Sequence, residues 1–455
     1  MADAVDVAII GGGPAGQAAA LMLAGRGLEI IILDEQPRPG GQILRQPPAR
    51  FTIQNWLPGR GYVRLKQQLA GFEALEDVRW LGNHSVLDLA PASDGLSLLT
   101  ATSGGMHRIH ARHVLVAAGC QDLAVPLPGW TLPGVMSTGG IQAFIKSQRF
   151  IPGDRILLAG THPLQLIVAE QIVKAGGSVA SVLFAQPCGK MIATAMRHPL
   201  TALRRTSDLT AAVSAMATLR RAGVPVRFGA ALHTISGVDR VAGAVTGVGE
   251  ISCDTVGLCY GFVPQSALPR MAGALMRRAG PAGGWACEHD RWLRTSVPGL
   301  SAAGETLGVA GAAAAAAGGA IAGIGIARDL GLVTPEQGER MIRPYRHAFD
   351  RHRAFAAMLD EIANPNGHMP TPDAETPLCR CEDVSATTIR QAIGHGGSAN
   401  AIKLATRCGM GACQGRNCEP TLLRLLRDAG RGDDPGFTAR FPARPVAIGD
   451  LAASG

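Results

Sequence analysis

Apolar runs and small-residue turns alternate from the start of the chain. Ala4 to Ile10 is rich in Val and Ile and reads as a buried strand. Gly11-Gly12-Gly13-Pro14-Ala15-Gly16 follows at once, and QAAALMLAGRG predicts a helix ending at Gly25 to Gly27. A second strand, Glu29 to Leu33, ends on Asp34-Glu35. Val86 to Leu89, Leu96 to Thr102 and Met106 to His110 predict a small meander, and Ala111 to Gly119 (ARHVLVAAG) a strand closing on small residues. Strand, turn and helix recur at Asp154 to Gly160, THPLQLIVAEQIVKAGG and SVASVLF. Val297 to Gly304 is another strand, followed by Glu305 and then by Val309 to Ala327, nineteen uncharged residues that are mostly Ala and Gly. That segment mimics a membrane span, but small residues transfer poorly into lipid, so it reads as a helix pressed against a sheet or cofactor. Helical stretches are expected after residue 335, over Thr387 to Gly394 and over Glu419 to Ala429.

The first unit carries chemistry. Gly11-x-Gly13-x-x-Gly16 between a strand and a helix, with an acid about twenty residues on, is a complete dinucleotide fingerprint. Gly11 permits the tight turn, Gly13 admits the pyrophosphate to the backbone, and Gly16 lets helix and strand pack closely. Pro14 and Ala15 open the helix, whose N-terminus places partial positive charge on phosphate. Asp34 or Glu35 is placed to accept from ribose hydroxyls. Pro39-Gly40-Gly41-Gln42 supplies a glycine pair where a chain must run beside a cofactor.

Composition narrows the field. At about 150 residues per domain, 455 residues suggest about three domains. Hydrophobic residues make up 47% and charged residues 17%, which excludes a mostly disordered chain. Aromatics at 4% leave little for stacking on nucleic acid. The net charge of +8 is not gathered in one block, again unlike a nucleic-acid binder. The densest basic patch, Arg197, Arg204, Arg205, Arg220 and Arg221, reads as a solvated helix face. The N-terminus lacks a basic n-region and does not look like a secretion signal.

The second strand–turn–helix departs from the fingerprint. Its turn is Gly160-Thr161-His162-Pro163-Leu164-Gln165, with His162 and Gln165 where the second and third glycines belong. The next strand ends Phe184-Ala185-Gln186, with no acid for a ribose. A nucleotide domain whose NAD(P)H site is lost is therefore expected. No CxxC occurs in the first 330 residues to support thiol–disulfide chemistry.

Five of the ten cysteines, Cys379, Cys381, Cys408, Cys413 and Cys418, fall within forty residues. Clustered thiols in a chain too long to need disulfide staples point to a metal. Four thiolates suit a [2Fe–2S] cluster or structural zinc, and the C-x-C pair is tighter than usual zinc knuckles. Gly409, Gly411 and Gly415 free backbone N–H groups for cluster sulfides. Cys408 is a rival ligand, because Cys408 and Cys413 are spaced like Cys413 and Cys418.

These motifs carry two resemblances. The glycine turn, the Gly-Gly-Gln segment, ARHVLVAAG and the Gly304-Glu305 strand end resemble the two-dinucleotide-binding flavoproteins of glutathione-reductase type. The cysteine segment resembles the bacterioferritin-associated-ferredoxin-like [2Fe–2S] domain. Together with LDEQPRPGGQI (Leu33 to Ile43), PGWTLPGV (Pro128 to Val135), YGFVP (Tyr260 to Pro264), TRCGMGACQGR (Thr406 to Arg416) and FPARPVAIG (Phe441 to Gly449), the chain resembles the FAD- and iron–sulfur-containing α subunits of opine oxidases, proline and D-hydroxyproline dehydrogenases and hydrogen cyanide synthase. The resemblance implies an α/β fold: two Rossmann-like dinucleotide-binding domains of glutathione-reductase type and a small C-terminal α-helical [2Fe–2S] domain. It implies FAD held by Gly11, Gly13, Pro14, Ala15, Gly16, Asp34, Glu35, Gly41, Gln42, Val86, Ala118, Gly119, Gly304 and Glu305. It implies cluster ligation by Cys379, Cys381, Cys413 and Cys418.

The implied partner is a FAD subunit of D-amino-acid-oxidase type that oxidises a C–N bond of an amino acid, imino acid or opine. This chain would then transfer electrons to a quinone or other acceptor, in a hetero-oligomer that can include a further small subunit. A self-contained NAD(P)H-dependent oxidoreductase and a non-catalytic cofactor-bearing scaffold are the alternatives, and no catalytic residue is singled out. The expected division is a FAD domain in two parts (1–120 and 261–330), a degenerate nucleotide domain (121–260), a helical connector (331–375), the cluster domain (376–430) and an extended tail (431–455). The expected location is the cytoplasm, with peripheral contact at the inner face of the cell membrane allowed and no transmembrane segment.

Overall fold

The computed structural model describes residues 3–54, 56–203 and 206–452; Arg204 and Arg205 of the basic patch lie outside the described residues. In the first domain β1 (Asp3–Ile10) runs through the glycine turn into α1 (Pro14–Leu23), and β2 (Ile30–Asp34) follows. Then come α2 (Arg60–Glu73), β3 (Val78–Gly82), β4 (Ser85–Ala92), β5 (Gly95–Thr102) and β6 (Gly105–Val116). The sheet order is β3-β2-β1-β6-β5-β4. Val7, Ala8 and Ile9 are fully buried, as a central parallel strand covered on both faces requires.

The meander's last strand and ARHVLVAAG, which the pattern separates, are one strand, β6. Its first half pairs antiparallel with β5 (Leu96 opposite Ala111). Its second half pairs parallel with β12 (Leu300–Ala302), Leu300 opposite Val114. The Ala/Gly run forms α5 (Ala312–Asp329) and lies on α1. A Cβ on Gly319 would stand 2.0 Å from the Ala15 carbonyl oxygen, and one on Gly323 2.7 Å from that of Ala19. The small residues thus serve backbone-to-backbone packing. Among the described residues no helix is long and apolar enough to cross a membrane. The connector is largely one helix, α6 (Pro335–Ile362), started by a capping box between Thr334 and Gln337. It packs along α5, where the Phe349 ring faces Gly318.

The second domain is a five-stranded parallel sheet. Its strands are β7 (Val135–Ser137), β8 (Ile156–Gly160), β9 (Val179–Phe184), β10 (Val226–Phe228) and β11 (Thr255–Cys259), in the order β10-β9-β8-β11-β7. Helix α3 (Thr138–Ala143) follows β7, and α4 (Leu164–Lys174) follows β8.

The C-terminal lobe packs α7 (Ala386–Gly394), α8 (Ala399–Thr406) and α9 (Glu419–Asp428) around Leu378, Ile389, Ile402, Leu422 and Leu426. The sequence pattern did not announce α8, which is only eight residues long. The lobe is tied to the other domains by Trp130 Nε1 donating to Pro377 O (2.9 Å) and by a half-buried Arg270–Glu419 ion pair (3.2 Å). The tail returns across the chain itself. The Phe437 ring is wedged beside Gly409 and Gly415, Ala443 N donates to Leu87 O (2.8 Å), and Arg444 pairs with Glu35 (2.6 Å). The tail is not extended throughout, since Ile448–Ala452 closes it with a short helix.

Candidate functional site

The glycine turn sits where β1 hands over to α1. Gly11 has φ +106°, and a Cβ there would strike the Ala117 carbonyl oxygen at 2.4 Å. A Cβ on Gly16 would meet Gly11 O at 2.0 Å, so Gly16 lets the helix approach and does not itself face the cleft. Gly13 is different. An added Cβ would find only the Gly41 Cα, at 3.7 Å, and would otherwise project into open space. Asp34 braces the turn: Oδ2 accepts from Gly12 N and Oδ1 from Gln36 N, both at 2.7 Å. Burial raises its pKa, and the two amides oppose that shift. Glu35 is turned to Arg444.

The turn opens into a cleft of about 2580 Å³. Gly11, Gly13, Pro14, Ala15, Asp34, Glu35, Gly41, Gln42, Val86, Ala118, Gly119, Gly304 and Glu305 all line it. Pockets for small ligands are usually ~300–1,000 Å³, so this cleft has room for an extended dinucleotide. The Gly13–Gly41 cradle that a side chain would fill is the feature that fits FAD. Glu305 stands at the far side, its oxygens accepting from Ala310 N (3.1 Å) and Gly311 N (2.8 Å), and burial pushes its pKa up to about 7. Arg353, on α6, donates to Leu307 O (3.3 Å) near Glu305.

The second turn is closed from within. Thr161 N and His162 N both donate to Cys259 O (2.9 Å each). Leu164 N donates to His162 Nδ1 (3.2 Å), Gln165 N to His162 O (3.3 Å) and Leu166 N to Pro163 O (3.0 Å). The first amides of α4 are thereby committed within the chain, whereas a bound pyrophosphate needs them free. The buried Gln165 donates to Leu183 O (3.2 Å). The His162 ring stands edge-on to Phe262, and desolvation holds its pKa down to about 4, so it is neutral.

In the C-terminal lobe Cys379, Cys408 and Cys418 are buried, with sulfurs within 4.8 Å of one another. Cys381 is exposed, Cys413 is half-buried, and their thiols touch as a second pair. Hydrogen bonds from Cys408 and Cys418 lower the Cys379 pKa, and donating to Cys379 raises that of Cys408. Gly409 N also donates to the Cys379 sulfur (3.5 Å). A Cβ on Gly411 would sit 2.3 Å from that of Cys381, so glycine lets the two cysteine segments meet. The four expected ligands lie as two thiol pairs, Cys379/Cys418 and Cys381/Cys413, with Cys408 against the first. A soft, all-thiol donor set with a backbone N–H aimed at sulfur fits an iron–sulfur centre.

The bridge between cleft and cysteines was not legible in the sequence. Arg380, between two cysteines, and Asn417, beside Cys418, form part of the cleft wall. Gln121 donates to Arg416 O (2.8 Å) and accepts from Gln265 Nε2 (2.9 Å). Its position two residues beyond Gly119 was a weak signal, but its partner is 295 residues away.

Residues 5–320 match the family described as pyridine nucleotide-disulphide oxidoreductase, and residues 377–428 the BFD-like [2Fe-2S] binding domain. An opine oxidase subunit of Rhizobium meliloti is 33% identical, with 98% of both chains covered. The HcnB subunit of hydrogen cyanide synthase from Pseudomonas aeruginosa is 32% identical, with 96% of both covered. Among solved structures, L-proline dehydrogenase from P. horikoshii has the same fold, with a TM-score of 0.70 at 19% identity over 98% of this chain and 79% of that one. The chain therefore belongs to the pyridine nucleotide-disulphide oxidoreductase family, as a flavin-dependent oxidoreductase whose cofactors are FAD and, in its BFD-like C-terminal domain, a [2Fe–2S] centre.

Proposed function

We propose that this chain is the electron-transferring subunit of a heteromeric dehydrogenase or oxidase acting on a C–N bond of an amino acid, imino acid or opine. In this reading a partner flavin subunit of D-amino-acid-oxidase type oxidises the substrate. One observation carries the proposal: the loop that bears the cysteines walls the same cleft that the glycine turn opens into, and Gln121 joins the two. When bound, FAD accepts electrons two at a time and the cluster passes them singly to a one-electron or quinone acceptor. Gly11, Gly13, Gly41 and Gln42 would hold the flavin nucleotide, and Cys379, Cys381, Cys413 and Cys418 the cluster. The boundaries that follow are 1–120 and 261–330 for FAD, 121–260 for the altered nucleotide domain, 331–375 for the connector, 376–430 for the cluster and 431–455 for the tail.

Three titratable groups that border the cleft are engaged with the backbone. His162 is neutral and accepts from Leu164 N, and Asp34 and Glu305 have both oxygens on backbone amides. The full-length relatives are each named as one subunit of an enzyme, an opine oxidase in one case and hydrogen cyanide synthase in the other, which supports a heteromeric assembly. The rival is a self-contained enzyme reduced by NAD(P)H, which the family's nucleotide chemistry favours and the closed turn at His162 opposes. Anaerobic titration of the flavin-loaded chain with NADH and NADPH separates them. No rapid flavin bleaching is expected, and rapid, complete bleaching by either would overturn the proposal.

A further inference from the structure

Among the described residues, one buried cation in the cleft meets no counter-charge. Lys146 lies on a π-helical turn, Phe144–Gln148, that continues α3 and ends at the left-handed Arg149. Such turns re-aim side chains and concentrate at functional sites. Lys146 is only 4% exposed, yet it lines the cleft. Its ammonium donates to Gln142 Oε1 (2.8 Å) and, at the limit of a hydrogen bond, to Ile43 O (3.5 Å). Desolvation alone pulls its pKa to about 7, with no carboxylate opposing the shift.

The acids nearby in the cleft wall are engaged elsewhere. Glu170 accepts from Lys174 (2.7 Å) and Thr218 (3.2 Å), and Asp122 from Ser137 Oγ (3.0 Å) and Gly139 N (3.2 Å). Glu35 is held by Arg444. Burial disfavours this ammonium, and an anionic group beside it would restore the charged form.

The neighbours are arranged as donors. Gln142 Nε2 donates to Gln171 Oε1 (3.0 Å), and Gln171 Nε2 to the Tyr62 hydroxyl (3.4 Å). That relay leaves the Tyr62 O–H free to donate in turn. The Lys146 ammonium also lies 5.7 Å from the Tyr62 ring centroid. Tyr62 belongs to α2 of the first domain and Lys146 to the second, so the two donors converge across the domain boundary. Ile43 directly follows the Gly41-Gln42 segment.

We propose that Lys146 and Tyr62 form a subsite for the carboxylate of a small organic acid within this chain's own cleft. One ammonium and one phenol match the two oxygens of a carboxylate. A phosphoryl group would call for more donors, and the first amides of α4 are committed within the chain. The subsite gives the chain an anionic ligand of its own, in addition to any substrate handled by a partner.

The test uses the FAD- and cluster-loaded chain at constant ionic strength, with acetate as probe and chloride and inorganic phosphate as comparators. The readout is perturbation of the flavin absorption band, with flavin content measured alongside. Acetate should give a saturable shift. Lys146→Met should weaken it about tenfold or more, and Tyr62→Phe by a smaller factor, with flavin content unchanged. No saturable shift in the parent chain, or the same affinity in Lys146→Met, overturns the proposal. Tighter binding of phosphate than of acetate overturns the ligand class. Loss of flavin from a folded Lys146→Met assigns the ammonium to cofactor retention instead. If Lys146→Met does not fold, Tyr62→Phe decides alone, and unchanged acetate affinity there is a negative result.

Discussion

Of the three fingerprint glycines Gly13 alone would point a Cβ into open space, so cofactor retention is expected to turn on it. Its φ of −76° suits any residue, so Gly13→Val should fold normally while filling the cradle opposite Gly41. The expected result is native circular dichroism with flavin content near zero, and a normal flavin-to-protein ratio would show the turn to be misread. Glu305 makes a prediction about pH. Its folded pKa of about 7 exceeds the usual 4.5, so the folded state binds this proton more tightly. The associated stability is present below about pH 4.5 and is lost as pH rises through about 7. In flavin-depleted protein Glu305→Gln removes this loss and should gain about 1–2 kcal/mol over the parent at pH 8, after about 1 kcal/mol for the amide left unpaired. Thermal midpoints at pH 5 and pH 8 measure it, and parallel shifts in the two proteins would count against it. At this scale residue type and spacing announced the turn. They could not announce Lys146, whose meaning lies in the carboxylates it does not meet.

Two elements carry the site, and each owes its shape to small residues. The contact of α1 with α5 depends on Gly319, where a Cβ would stand 2.0 Å from the Ala15 carbonyl oxygen at the helix end that faces the cleft. Gly319→Ala should cost about 1–3 kcal/mol through overpacking and weaken flavin binding by moving α1. An unchanged thermal midpoint together with full flavin content would contradict that. The cysteine loop poses a sharper choice, because Cys408 is buried with Cys379 and Cys418 while Cys413 pairs with Cys381. Cys413→Ser should abolish the cluster's visible and paramagnetic signature, and Cys408→Ser should leave most of it. The reverse outcome would make Cys408 the ligand. Periodicity exposed α5 through its uncharged run, but it split β6 in two. The strand changes partners midway, from β5 to β12, and no local pattern encodes a change of neighbour.

Across the whole molecule, three separate stretches of chain converge on one cleft. The glycine turn, the π turn carrying Lys146 and the loop between Cys379 and Cys418 are far apart in sequence and adjacent in space. The motifs in each stretch were readable one at a time, because each is a local contract between backbone and ligand. Their convergence was not, since it rests on long-range contacts such as Gln121 with Arg416, Trp130 with Pro377 and Arg444 with Glu35. The tail shows the same limit: it reads as an extended segment, and only the fold shows that it crosses to the first domain. The central claim is that flavin and cluster work as one relay within this chain. An anaerobic, stepwise reduction of the loaded chain, followed by flavin absorbance and by electron paramagnetic resonance of the cluster, tests it directly. About three electrons per chain are expected, with the cluster signal rising as the flavin bleaches. Full flavin reduction with a verified cluster that never accepts an electron would contradict the account.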